Sequence, residues 1–147
     1  WGIHSMNTAS LDTNIILRLL LRDVPEQRQQ AIDLIAQFDR LNISDIAISE
    51  AVFVMGRNYQ LPRNKIADAL LDFLKDPKYN CNRPLFTRAF PYFVAHPALS
   101  FEDLVLCCEQ PLTQLVLLQQ VPEMQSRLPE TARLSVSALI SLMQSLA

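Results

Sequence analysis

Thr8-Ala9-Ser10-Leu11-Asp12-Thr13-Asn14-Ile15-Ile16-Leu17-Arg18-Leu19-Leu20 is the stretch on which the fold turns. A short segment, Thr8 to Leu11, runs into Asp12, and then Ile15, Ile16, Leu19 and Leu20 recur at helical spacing. Strand, acid, helix is the grammar of a parallel α/β sheet. Working outward, Asp23-Val24-Pro25-Glu26 predicts a second helix start, with Asp23 as N-cap and Pro in the first turn. That helix is expected to turn Ile32, Leu34, Ile35, Phe38 and Leu41 inward. Ile43-Ser44-Asp45-Ile46-Ala47-Ile48 alternates and reads as the next strand, feeding Ser49-Glu50 and a helix from Ala51 to about Tyr59.

Further on, Leu61-Pro62 starts a helix with Ile66, Leu70, Leu71 and Leu74 as its stripe, and Asp76-Pro77 ends it. Tyr79 to Asn82 suggests a short edge strand. Pro84 to Ala95 is helical in pattern with a kink or break expected at Pro91. Ser100-Phe101-Glu102-Asp103 opens the helix from Leu104 to Gln110. Leu115 to Leu118 and Leu134 to Val136 are candidate strands, and Ser137 to Ala147 a short amphipathic helix. The alternation predicts an α/β fold, a three-layer αβα sandwich around a mostly parallel sheet.

Composition narrows the function classes. The chain has 147 residues, half of them hydrophobic, which suits one domain with a real core and rules out wholesale disorder. Only 2 Gly occur where average usage is about 7%, which argues against a Gly-rich phosphate loop and against a turn-rich all-β fold. A net charge of −2 is not that of a strongly basic nucleic-acid binder, so any RNA contact is local. Cys81, Cys107 and Cys108 form no CxxC and have no His at ligand spacing, which points away from zinc and disulfides and toward a reducing compartment. No apolar run approaches the ~18 residues of a membrane span. Residues 1–5 lack the pattern of a signal peptide and read as a vector-derived remnant before a native Met6. The expected organisation is one domain over 6–136, a tail over 137–147, and a cytoplasmic location.

Three acids carry the chemistry. Asp12, Glu50 and Asp103 are each expected in or beside the first turn of a helix, two of them directly after a strand. In a parallel sheet the carboxyl ends of the strands and the starts of the following helices share one edge, where ligands bind. Carboxylates brought together there repel unless protonated or bridged by a cation, and hard oxygen ligands suit Mg²⁺ or Mn²⁺. Each acid also has a plainer reading. Asp12 could be an N-cap, Glu50 a first-turn acid favoured by the helix dipole, and Asp103 the partner of Ser100 in a capping box.

Ser10 to Leu17 resembles the opening motif of PIN domains, the Mg²⁺-dependent nucleases that include VapC-type toxins. Ile43 to Leu61 is similar to their second motif, whose metal-ligating Glu corresponds to Glu50. Leu99 to Leu106 resembles the third, whose acid corresponds to Asp103. The likeness covers Met6 to about Glu109. It implies a PIN-like sandwich and a single-domain ribonuclease that is usually dimeric and often neutralised by a small antitoxin over its groove. A metal between Asp12 and Asp103 would then coordinate a phosphate oxygen and activate a water for in-line attack, with Glu50 ligating through water or orienting the nucleophile. Thr13 and Asn14 would hydrogen-bond the phosphate or the carboxylates, although Asn14 could equally serve the helix start. One departure stands out: where the family has a fourth acid in a stretch resembling Thr-Phe-Asp, this chain has Val121, with Glu123 the nearest carboxylate.

Arg57, Arg63 and Lys65 are the densest basic cluster and candidates for RNA contact, as are Arg18 and Arg22. His96 reads as a loop histidine and Cys107 and Cys108 as packing residues. Phe86, Phe90, Tyr92 and Phe93 suit a core or dimer face. The apolar content of the Ile66–Leu74 and Phe86–Phe93 helices suggests a homodimer. Two other functions compete with the ribonuclease. One is a catalytically weak or inactive PIN-like module that binds protein. The other is a haloacid-dehalogenase-like phosphatase starting at Asp12, ranked last because Asn14 stands where Asp-x-Asp chemistry needs its second acid.

Overall fold

The structure is a computed structural model and describes residues 6–109. The chain divides into two compact units, Trp1–Arg83 and Pro84–Ala147. The first holds a sheet of β1 (Thr8–Ser10), β2 (Arg40–Asn42) and β3 (Tyr79–Asn80), all parallel, in the order β1-β2-β3. With it go helices α1 (Thr13–Leu21), α2 (Pro25–Ile35), α3 (Asp45–Arg57) and α4 (Arg63–Phe73). α1 packs against α2 and α3, and α3 against α4. The described residues are thus mixed α/β with an all-parallel sheet. Leu41 on the central strand is 1% exposed, and Ile16, Ile48, Met55, Ile66 and Leu70 complete the buried core around it. Among the described residues no helix is long and apolar enough to cross a membrane.

The second strand and third helix differ from the sequence expectation. β2 is Arg40–Asn42, so Leu41 is a strand residue rather than the inner face of a helix, and Ser44 already caps α3. Its Oγ accepts the Ala47 N–H at 3.1 Å. A strand would place Ile46 and Ile48 on one face, yet they are 78% and 0% exposed. The helical series Ile48, Ala51, Val52 and Met55, all buried, outweighed the short alternation. Glu50 therefore lies in the second turn of α3, not the first.

Asp23 does not cap α2. That position belongs to Val24, which makes no side-chain cap bond, while Pro25 is the first helical residue as expected. Leu34 is exposed and Ala31 is the residue α2 buries. α4 buries Ile66, Ala67 and Leu70, and β3 pairs with β2 where an edge strand was expected.

α5 (Arg83–Ala95) begins at the boundary between the units and continues unbroken through Pro91. Within the second unit it is followed by α6 (Phe101–Glu109). Phe101 stacks on Phe90 at 4.6 Å between ring centroids and meets Phe93 edge-on at 5.4 Å. Phe86, Phe90 and Phe93 are buried, so these rings are core. The strands expected at Leu115–Leu118 and Leu134–Val136, the helix from Ser137, and Val121 lie outside the described residues.

A carboxylate pair and a polar crevice at the sheet edge

Asp12 follows β1 by one residue and occupies the N-cap position of α1 with extended backbone, φ −80° and ψ 151°. Its side chain makes no cap bond; Oδ2 instead accepts the Asn14 Nδ2–H at 3.3 Å. The capping explanation for this carboxylate therefore fails. Thr13 is next, and it is the one buried polar residue among those described. A buried hydroxyl left unpaired would cost about 1–3 kcal/mol. Thr13 Oγ1 donates to Glu50 Oε2 at 2.8 Å, with the Ala47 carbonyl farther off at 3.4 Å. Since a hydroxyl has a single proton and a carboxylate only accepts, the shorter bond is the one made when Glu50 is ionised. Glu50 is thereby held against the residue that follows Asp12, at the carboxyl end of the sheet.

Asp103 meets the plainer expectation. In the second unit, its Oδ2 accepts the Ser100 N–H at 3.3 Å while its own N–H donates to Ser100 Oγ at 3.1 Å, a reciprocal capping box. Among the described residues no three His, Cys, Asp or Glu gather closely enough to hold a metal ion. In the first unit Asp12 and Glu50 are hard oxygen donors, the former bonded by Asn14 and the latter by Thr13. One or two carboxylates with water completing the shell are a sufficient protein contribution for Mg²⁺.

The basic candidates stand in different settings. The Arg57 guanidinium lies 5.9 Å from the centroid of the exposed Phe53 ring. Arg63 is half-buried, and burial lowers its pKa, whereas Lys65 is exposed. Arg18 is committed to Asp23 at 3.2 Å, and the same carboxylate accepts the Tyr59 hydroxyl at 2.8 Å. Arg22 ends α1 in the left-handed conformation. Burial raises the Cys107 thiol to about 11 and pushes Cys81 and Cys108 up as well, which disfavours the thiolate at all three.

Sequence reasoning passed over a row of neutral polar residues. The three strands end in register on Ser10, Asn42 and Asn80. With Ser44, Cys81 and Asn82 they line a crevice of about 350 Å³ at the carboxyl edge. The rule that ligands bind beyond strand carboxyl ends would have singled them out, but only with β2 correctly placed. No family model, curated protein or solved structure matches the chain.

Proposed function

We propose that the chain is a PIN-like, three-layer αβα ribonuclease that depends on Mg²⁺ or Mn²⁺ and hydrolyses RNA phosphodiesters at Asp12 and Glu50. On this reading it is the cytoplasmic toxin of a toxin–antitoxin pair, a homodimer restrained by a small antitoxin protein. The observation that carries the proposal is the 2.8 Å bond from Thr13 to Glu50, which ties two acids far apart in sequence to one corner of the sheet edge. Asp12 and Glu50 would hold the cation. When bound, it offsets the charge that develops on the phosphate and makes a water more acidic. Asn14 orients Asp12, and Thr13 fixes one oxygen of Glu50 so that the other can hold the attacking water in line. Arg57, Arg63 and Lys65 would steer the RNA backbone.

The test is cleavage of mixed RNA with Mg²⁺, Mn²⁺ or EDTA. EDTA should abolish activity and Asp12→Asn reduce it at least about a hundredfold, the scale of a lost acid–base or ligand group. Thr13→Val, which keeps the shape and removes the hydroxyl, should cost about tenfold through the loosened Glu50. EDTA-resistant cleavage, or full activity in Asp12→Asn, would overturn the assignment. A second reading, a catalytically silent PIN-like module that binds protein, is favoured by the Asp103 capping box, which engages one of that acid's oxygens with backbone.

A further inference from the structure

The crevice at the strand ends has a chemistry of its own, separate from the acids beside it. Its polar lining is uncharged: three amides, two hydroxyls and the Cys81 thiol, which burial keeps protonated. A phosphate or carboxylate would find no cation among these side chains, and a metal no carboxylate. Buried Leu11 and Ile43 add an apolar surface. A flat ring with an apolar face and a polar rim matches that combination. The volume lies near the lower end of the roughly 300–1,000 Å³ of small-molecule sites, enough for one such group.

Hydrogen bonding favours one kind of rim on the ligand. Asn80 Oδ1 accepts from Arg40 Nη2 at 3.4 Å, and an arginine can only donate, so the amide orientation is determined. Asn80 Nδ2 then donates to Asn42 Oδ1 at 2.8 Å. The relay Arg40 to Asn80 to Asn42 engages one lone pair of the Asn42 oxygen and leaves its Nδ2 without an acceptor among the described residues. Asn42 therefore presents donors to the crevice.

Resting on the ribonuclease reading, we propose that this crevice receives one unstacked nucleobase of single-stranded RNA, and that Asn42 selects a rim of adjacent acceptors such as guanine O6 and N7. An asparagine reads adenine by using its nitrogen and its oxygen together, on N7 and N6. Here one lone pair of the oxygen already accepts from Asn80 Nδ2, so adenine N6–H must share that oxygen and this half of the pair is weakened. Single-stranded bases are the form of RNA that offers such rims to a protein.

The test uses the full chain in EDTA, so that no cleavage intervenes, titrated calorimetrically with GMP, AMP and ribose 5-phosphate. GMP should bind about tenfold more tightly than AMP, the scale of one good base contact. Ribose 5-phosphate should show no measurable binding. Asn42→Asp, which exchanges the donors for acceptors, should invert the order. Asn80→Leu, which frees the Asn42 oxygen, should bring AMP level with GMP, and it keeps the test open should the first variant fail to fold. Equal binding of GMP and ribose 5-phosphate, or an unchanged order in both variants, would overturn the proposal. The two readings fail separately: base selectivity with no EDTA-sensitive cleavage refutes the nuclease, and cleavage without base selectivity refutes the crevice.

Discussion

Tyr59 Oη donates to Asp23 Oδ2 at 2.8 Å while Arg18 Nη1 lies 3.2 Å from both oxygens of the same carboxylate. The Tyr59 bond is the main cause that holds the Asp23 pKa below its usual 3.8; partial desolvation opposes it and Arg18 assists. The same bond pushes Tyr59 above 10.0. The signs differ at the two ends of the pH scale. Asp23 stabilises the fold above the usual carboxyl range, and that contribution is lost as pH falls through its lowered value. Tyr59 contributes below 10.0, and its share is lost as pH rises through the raised value. Tyr59→Phe should flatten both limbs of a plot of unfolding midpoint against pH; profiles that coincide with the parent's would contradict this. Asp12, Thr13 and Asn14 were readable as a group because they are neighbours in sequence. The Thr13–Glu50 bond and the Asn42–Asn80 bond span 37 and 38 residues, and no local pattern announces such partners.

Loops around α1 and α3 reverse through residues that pay no regard to the scarcity of glycine. Arg22 has φ 54° and Gln60 φ 52°, both left-handed, whereas Gly56 sits inside α3. A left-handed non-glycine residue costs roughly 1–2 kcal/mol, and glycine forfeits about 0.5–1 kcal/mol of that through its freer unfolded chain. Gln60→Gly should thus stabilise by about 0.5–1 kcal/mol. A Cβ at Gly56 would meet Ile66 Cδ1 at 3.6 Å, an ordinary contact, so Gly56→Ala should add a similar amount from helix propensity alone. Urea unfolding of each variant checks this, and a fall in either midpoint would show that the loop or the α3–α4 contact needs its present residue. Helices with long apolar stripes, α1 and α4, were legible in the sequence; β2 was not. Three residues, of which only Leu41 is buried, carry too little periodicity to compete with the stronger pattern in Ile43–Ile48.

For the whole molecule, the apolar surplus that suggested a dimer face proves to be internal. Ile66, Leu70, Leu74, Phe86, Phe90 and Phe93 are buried within the single chain. The sheet itself is held by long-range closure. β1 pairs with β2 through Thr8 and Arg40, and β2 with β3 through Asn42 and Asn80. Leu41 takes part in both pairings, and Leu41→Ala should cost about 2–5 kcal/mol. Because loop closure must precede these contacts, much of the loss should fall on the refolding rate. Stopped-flow refolding at unchanged speed, with all the loss in unfolding, would place sheet assembly after the barrier. Parallel pairing also gives biosynthesis an order. α1 and α2 can coil while β1 still has no partner, and the ladder gains its second rung only when Asn80 has left the ribosome. During that interval the nascent chain carries Ala9 and Leu41 on an unfinished edge, the period in which a chaperone, or a second nascent copy, has most to grip.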